Sequence, residues 1–305
     1  MTLNSADLIN NANKAGLVVP AFNIPYLPMM EPVIQALVDE DAFGLIETAR
    51  LEWYKFEAQS PAAIAEEFAK WGKPEFVRLH LDHVPVIDED GEKVDYLPII
   101  KEAIDLGYQS VMIDGSRMNL EDNIAATKEV VALTRAAGIP CEAELGAVLG
   151  YEAETRPPYE ELFTSGLGFT DVEEARRFVS ETGCDWLSVA VGNLHGAISS
   201  ALRDKKKVEA RLNIEHIQQL HKVAGIPLVL HGGSGVQRPY LLEGILNGIT
   251  KVNIATEIRQ AYEPEYRRSN DVFKAQQACY QRTRWMLKDY FGLSGTRHQV
   301  FGQDL

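Results

Sequence analysis

The stretch Phe76-Val77-Arg78-Leu79-His80-Leu81-Asp82-His83 decides how this chain is interpreted. It begins as a mostly apolar run and ends with three polar side chains. In a β-strand, His80 and Asp82 share one face because side chains alternate with a period of two, and His83 lies where the strand gives way to a loop. A carboxylate and an imidazole at the end of a buried strand lose hydration and need partners. A divalent metal is one such partner.

The composition around this stretch is that of an ordinary soluble globular protein, with 305 residues of which 46% are hydrophobic. A single α/β-barrel domain over 1–305 suits this length. The formal net charge of -14 argues against a nucleic-acid surface, so a phosphate would need a locally positive site or backbone N–H groups. Cys141, Cys184 and Cys279 show neither a metal-ligand spacing nor an even disulfide framework, and the lack of such a framework favours a protein of the reducing cytoplasm. The N-terminus has no signal-like pattern and no apolar run reaches membrane-spanning length, so we expect no membrane association.

Short apolar segments alternate with helical patterns along the chain. Strands are predicted at 17–23, 43–48, 76–83, 110–115, 140–146, 186–192, 227–233 and 251–256, and helical patterns include 5–15, 95–106, 120–137, 171–182, 214–223 and 240–246. Strands that are apolar along most of their length indicate a parallel sheet covered by helices. We therefore predict an α/β fold, a (β/α)8 TIM barrel over about 17–260, followed by C-terminal helices over 261–305.

Polar residues cluster at the C-terminal ends of these strands, the face where TIM-barrel enzymes place their chemistry. The set comprises Asn23, Asp82, His83, Asp114, Ser116, Glu144, Asn193, His195, His231, Ser234, Asn253 and Thr256. Three histidines, His83, His195 and His231, follow the third, sixth and seventh strands, and three protein ligands with an open position are typical of a catalytic zinc site. Any one of them alone is more often a hydrogen-bonded core or loop residue, whereas the three together favour a metal.

Glycine-containing turns follow two of these histidines. Gly196 follows His195, and the run 232–235 (Gly-Gly-Ser-Gly) follows His231. Such turns expose backbone N–H groups that bind anions, and phosphate sites on barrels often follow strands seven and eight. Many glycine turns need only a positive φ, but Asn253 and Thr256 at the next strand end add further donors.

Seven segments together resemble the class II (zinc-dependent) ketose-bisphosphate aldolases. They are Ala21-Phe22-Asn23-Ile24, Leu79-His80-Leu81-Asp82-His83, Met112-Ile113-Asp114-Gly115-Ser116, Glu142-Ala143-Glu144-Leu145-Gly146, 192–196, 231–235 and Val252-Asn253-Ile254-Ala255-Thr256-Glu257. The resemblance covers about 17–259, with the segments in the family's order. It implies a TIM-barrel homodimer or homotetramer with one catalytic zinc per subunit, and it allows a monovalent cation. The implied reaction is reversible cleavage of a ketose 1,6-bisphosphate, of the fructose or tagatose type, to dihydroxyacetone phosphate and an aldehyde.

The resemblance also implies residue roles. His83, His195 and His231 would hold zinc, while Asp82 would exchange the proton of the hydroxyl that becomes the aldehyde oxygen, or would only orient a ligand. Asp114 and Glu144 would serve a second or displaced metal position, or would only hydrogen-bond at the barrel mouth. The residues that would contact substrate or cradle its phosphate are Asn23, Gly196, Gly232, Gly233, Ser234, Asn253, Ala255 and Thr256. Arg259 would reach a distal phosphate or would form a surface ion pair.

Three departures from the family pattern bear on the substrate. Glu152 stands where the family keeps the loop acid that deprotonates the three-carbon donor, but its neighbours differ and Glu154 is a rival; a solvated charge is the alternative for both. Ile198 and Ser199 replace a tyrosine and a lysine. Ala255 replaces the aspartate of fructose-bisphosphate enzymes and looks more like the tagatose-bisphosphate branch.

Two other functions stay open at this point. One is a related metal-dependent aldolase whose ketose substrate is not a bisphosphate, which the missing lysine and the altered loop favour. The other is a non-catalytic barrel subunit that supports a partner aldolase. The convergence of Asp82, His83, His195 and His231 counts against such a subunit, because burying four polar groups is costly without a use.

Overall fold

Eight parallel strands form a closed barrel, in which neighbours in sequence pair and the eighth strand returns to the first. The computed structural model describes residues 3–146, 159–194 and 209–303. The strands are β1 (Val19–Asn23), β2 (Gly44–Ala49), β3 (Val77–Pro85), β4 (Ser110–Asp114), β5 (Cys141–Leu145), β6 (Trp186–Val189), β7 (Leu228–Leu230) and β8 (Ile249–Ile254). Helices lie between the strands. The predicted (β/α)8 TIM barrel is therefore confirmed.

The helices cover the outside of the barrel and extend past its last strand. They are α1 (Ser5–Lys14), α2 (Met30–Asp39), α3 (Arg50–Lys55), α4 (Pro61–Trp71), α5 (Tyr96–Asp105), α6 (Leu120–Ala137), α7 (Tyr159–Ser165), α8 (Val172–Thr182), α9 (Ile214–Ala224), α10 (Arg238–Leu246), α11 (Thr256–Ser269), α12 (Val272–Trp285) and α13 (Arg297–Val300). A π-helical turn, Met286–Phe291, follows α12. No helix within the described ranges is both long and apolar enough to span a bilayer.

Several strand ends differ from the sequence-based expectation. β6 ends at Val189 and β7 at Leu230, each three residues before the predicted end. The residues beyond these ends include Gly192 and Gly232, whose positive φ angles of 108° and 68° turn the chain out of the strand. At β8, Thr256 is the first residue of α11 rather than the last of a strand.

The inside of the barrel is layered. Its N-terminal part is closed by an apolar cluster that includes Leu8 of α1, Ala21, Leu45, Trp186 and Val229. Two residues beyond Ala21, Leu45 and Trp186, the inward positions of β1, β2 and β6 are the polar Asn23, Glu47 and Ser188, because period-two alternation carries the same face upward toward the C-terminal ends. The apolar layer thus forms the floor beneath a polar interior that opens at the C-terminal face.

Candidate functional site

A buried lysine occupies the centre of the polar layer. Lys251 Nζ lies 2.9 Å from Glu142 Oε2 and 3.1 Å from Glu47 Oε2, and all three side chains are fully buried. His80 lies beside them, with Nε2 3.4 Å from Glu142 Oε2 and Nδ1 2.8 Å from Ser110 Oγ. Burial and the nearby Lys251 lower the pKa of His80 to about 3, so this imidazole is neutral. Burial and the charge of Asp82 hold the pKa of Glu47 well above its usual range, so Glu142 is the main counter-charge of the lysine.

Asp82 lies directly above this layer and is held by two amides. Asn23 Nδ2 donates to Asp82 Oδ2, and Asn253 Nδ2 donates to Asp82 Oδ1, each at 2.9 Å. Burial alone would raise the pKa of Asp82, but the positive charges of His83, His231 and Lys251 outweigh burial and bring it below its ordinary value. The carboxylate is therefore ionised and fixed in orientation.

A backbone irregularity brings His83 into the same site. The pairing of β3 with β4 shifts register between Leu81 and Val84, and His83 has a φ of 23°. In a regular strand Asp82 and His83 would point to opposite faces, but the extra residue of the bulge turns both toward the barrel mouth. His83 Nδ1 consequently lies 3.2 Å from Asp114 Oδ2, and its ring centroid lies 4.4 Å from that of His231.

His231 follows β7 and lies between two carboxylates. Its Nε2 is 2.9 Å from Glu142 Oε1, and its Nδ1 is 3.1 Å from Glu144 Oε2. Burial lowers the pKa of His231, but the hydrogen bonds to Glu142 and Glu144 dominate and raise it to about 10. Burial likewise lowers the pKa of His83, while Asp82 raises it to a net value of about 9.

These groups could hold a metal ion. Asp82, His83 and His231 offer ligand atoms that all lie within 4.8 Å of one another, and so do His83, Asp114 and Glu144. Imidazole and carboxylate donors suit a transition metal such as zinc. The Glu142 carboxylate contacts Nε2 of His231. A carboxylate on one ring nitrogen is also the usual arrangement for a histidine that binds a metal through the other nitrogen, because it fixes the tautomer and the ring orientation. The donor set therefore fits the metal that the sequence suggests.

Comparisons with known proteins identify the family of this chain. Residues 3–296 match the family model described as "Fructose-bisphosphate aldolase class-II". The chain belongs to the class II fructose-bisphosphate aldolase family. It is 33% identical over 260 residues to the 6-phospho-5-dehydro-2-deoxy-D-gluconate aldolase of Halalkalibacterium halodurans. The aligned residues cover 84% of this chain and 81% of that relative. The chain is therefore an aldolase, a carbon–carbon lyase.

Solved structures extend the likeness to almost the whole aldolase. The YdjI aldolase from Escherichia coli K12 has a TM-score of 0.75 at 28% identity, covering 97% of this chain and 100% of that one. The fructose-bisphosphate aldolase of Campylobacter jejuni has a TM-score of 0.70 at 18% identity, covering 95% and 96% of the two chains. The second likeness shows the fold alone.

The turn after β7 in the aldolase has room only for glycine at one position. A Cβ on Gly233 would lie 2.2 Å from a side-chain carbon of Val252, so the turn packs directly on β8. Gly232 starts this turn with a φ of 68°, and Ser234 lies within it. At the neighbouring strand end, Ala255 and Thr256 begin α11, whose first backbone N–H groups have no partners within the helix.

The structure joins seven of the predicted residues in one place. It brings together Asn23, Asp82, His83, Asp114, Glu144, His231 and Asn253 at the C-terminal ends of the strands. Arg259 lies in α11, where it is 3% exposed and forms an ion pair with Glu263 at 2.8 Å. His195, Gly196, Glu152 and Glu154 lie outside the described residues.

Sequence reasoning did not single out Lys251 or Glu142. A signal for both existed, because each stands two residues before a residue that was noticed, Asn253 and Glu144 respectively. Period two places such pairs on one face of a strand, so each pair reaches the barrel interior together. An apolar strand that carries inward charges is itself unusual, since charged groups are almost never fully buried unless they are paired.

Proposed function

We propose that this aldolase is metal-dependent and cleaves a phosphorylated ketose reversibly to dihydroxyacetone phosphate and an aldehyde, with one zinc ion per subunit. The observation that carries the proposal is the convergence of Asp82, His83 and His231 within ligand distance at the barrel mouth. His83 and His231, with His195, are the proposed zinc ligands. Asp114 and Glu144 are proposed to serve a second or displaced position, which the shared donor group of His83, Asp114 and Glu144 supports.

A bound zinc ion supplies Lewis-acid chemistry, which stabilises negative charge that develops at the substrate carbonyl. Asp82 is the proposed proton-transfer group, since its carboxylate is ionised and held by Asn23 and Asn253. In cleavage it accepts the proton of the hydroxyl whose oxygen becomes the aldehyde oxygen, and in condensation it returns that proton. Glu152, or its rival Glu154, is proposed to exchange the proton of the three-carbon donor.

Backbone N–H groups are the proposed phosphate site. A chain with a net charge of -14 gives an anion no general attraction, so local donors must supply it. The turn that contains Gly232, Gly233 and Ser234 and the start of α11 at Thr256 lie at adjacent strand ends, and helix N-termini favour anions. Asn253, Ala255 and Gly196 complete the proposed substrate contacts, with Asn23 beside the reacting carbons.

Two substrate classes, which differ at the end far from the reacting phosphate half, are candidates. The seven motifs support a ketose 1,6-bisphosphate, and Ala255 favours the tagatose type, with Arg259 at the distal phosphate. The relative from Halalkalibacterium halodurans is named for a substrate with a single phosphate. A singly phosphorylated keto sugar acid is therefore the second candidate. The ion pair of Arg259 with Glu263 favours it, because that guanidinium already has a counter-charge.

The test is coupled detection of dihydroxyacetone phosphate from a substrate panel. The panel holds fructose 1,6-bisphosphate, tagatose 1,6-bisphosphate and 6-phospho-5-dehydro-2-deoxy-D-gluconate, each with and without a chelator. We expect turnover that the chelator abolishes and added zinc restores. Undiminished turnover without metal would contradict the proposal. Turnover of the singly phosphorylated compound alone would select the second candidate.

Assembly and location are part of the proposal. We propose a cytoplasmic homodimer or homotetramer that binds a small phosphorylated sugar and neither nucleic acid nor membrane. Light scattering coupled to size exclusion measures the subunit number directly. A monomer at micromolar concentration would contradict the oligomer.

A further inference from the structure

The Lys251 ammonium touches one group that belongs to neither of its ion pairs. Its Nζ donates to Asn253 Oδ1 at 2.6 Å, and both side chains are inward on β8 because they are two residues apart. Asn253 Nδ2 in turn donates to Asp82 Oδ1 at 2.9 Å. The three side chains therefore form a chain of hydrogen bonds from the centre of the barrel to the reacting carboxylate.

The lysine and Asp82 together determine which way the amide of Asn253 points. An ammonium has three donors and no acceptor, so only the oxygen of the amide can face it. The amide nitrogen must then face Asp82, which accepts it. Without the ammonium the amide oxygen would lose its donor, and the hydrogen bond to Asp82 alone would hold the Asn253 side chain.

We propose that Lys251 is a positioning residue for carbon–carbon bond cleavage, which acts through Asn253 to hold the Asp82 carboxylate in its reactive orientation. The inference rests on the proposed function, in which Asp82 transfers the proton on the aldehyde oxygen. The contacts of Lys251 are with Glu47, Glu142 and Asn253, none of which is a proposed zinc ligand. Its effect should therefore fall on the step that uses Asp82 and spare the step that does not.

The two steps can be measured separately. Exchange of the donor proton of dihydroxyacetone phosphate in deuterium oxide, followed by NMR, uses the loop acid and not Asp82. Condensation of dihydroxyacetone phosphate with an aldehyde uses both. In Lys251→Met we expect condensation to fall about 10- to 100-fold, the usual effect of removing an outer hydrogen-bond partner. Exchange should stay close to the wild-type rate, because that step does not use Asp82.

Glu47→Gln is the matched control. Glu47 Oε2 also lies 3.1 Å from Lys251 Nζ, but Glu47 is not hydrogen-bonded to Asn253. Glutamine is a mild replacement here, because its neutral amide replaces a carboxyl group whose pKa is raised. The ratio of condensation to exchange should stay at the wild-type value in this variant. Zinc content by elemental analysis and thermal unfolding are measured on every variant, so that loss of metal or fold is recorded independently of activity.

Lys251→Met leaves Glu142 without its main counter-charge and risks misfolding. The double variant Lys251→Met/Glu142→Gln removes both charges together, so it keeps the inference testable against Glu142→Gln alone. We expect the double variant to have the lower condensation-to-exchange ratio, again by about 10- to 100-fold.

Three outcomes would overturn the positioning role. The first is a condensation-to-exchange ratio in Lys251→Met equal to that of the wild type, and the second is an equal fall of the condensation and exchange rates in that variant. The third is a condensation-to-exchange ratio in Glu47→Gln as low as in Lys251→Met. A wild type that neither exchanges nor condenses would instead refute the proposed function, and the positioning role with it.

Discussion

The position of Glu142 beneath the candidate metal site makes Glu142→Gln an informative perturbation. One carboxylate oxygen accepts from His231 Nε2 at 2.9 Å, and the other lies 2.9 Å from Lys251 Nζ. Glutamine has the same shape, but one of its two ends carries an NH₂ group. That end must face either His231 or Lys251, and both are donors. The substitution therefore breaks one of the two contacts and removes the charge that balances the lysine.

The size of the effect follows from the burial of these groups. Leaving a buried charge without its partner costs about 3–5 kcal/mol. A chain of 305 residues has an unfolding entropy of roughly 0.6 kcal/mol per kelvin at about 2 cal/mol/K per residue, so the unfolding temperature should fall by about 5–8 °C. Because Glu142 also orients His231, zinc affinity should fall about 10- to 100-fold.

Calorimetry on the metal-free protein measures the first effect, and competition with a chromophoric zinc chelator measures the second. Glu173→Gln is the matched control, since Glu173 forms an exposed ion pair with Arg176 and should change neither quantity. A Glu142→Gln protein that has the same unfolding temperature as the control and binds zinc as tightly as the wild type would refute the reasoning. Glu142 would then neither balance the charge of Lys251 nor orient His231.

Three further measurements test other parts of the structure. In the metal-free protein the pKa of His83 is raised to about 9 and that of His231 to about 10. The stability that these two histidines contribute is therefore complete below the histidine pKa of the unfolded chain, about 6.5, and is lost as pH rises through the pKa values of the folded protein. The unfolding temperature should decline as pH is raised across this window. Asp171→Ala removes the acceptor of two backbone N–H groups at the start of α8 and should cost about 1 kcal/mol in urea unfolding. Phe178→Ala empties a fully buried site on the same helix and should cost about 3–5 kcal/mol in the same assay, so equal losses for the two variants would contradict the packing described.

The barrel itself was within reach of sequence reasoning. Strands such as β3 and β5 are apolar at their outward positions, and helices with clear caps separate them, so local pattern and global fold agree. Strand ends were less accessible. β6 and β7 stop early because the chain turns at Gly192 and Gly232, and a glycine that continues an apolar run does not reveal from sequence whether its φ is positive.

The site was only partly within reach. Period two predicts that Asp82 and Asn253 face inward, but it also predicts that His83 faces away from Asp82. The bulge between Leu81 and Val84 reverses the second prediction, and nothing in the local sequence marks it. The pairing of Glu142 with His231, 89 residues apart, likewise depends on barrel closure and not on spacing.

The charged layer explains why the site sits where it does. A buried ammonium is tolerated only beside a counter-charge, and Lys251 has Glu142 at 2.9 Å, while the raised pKa of Glu47 spares the layer a second negative charge. The layer is thus close to neutral, and it rests on the apolar floor that includes Ala21, Leu45, Trp186 and Val229. Lys251 and Glu142 are buried and paired with each other, and from this layer Lys251 contacts Asn253 while Glu142 contacts His231. Replacing Lys251 and Glu142 with aliphatic side chains would leave Asn253 Oδ1 without its ammonium donor and His231 Nε2 without its carboxylate acceptor.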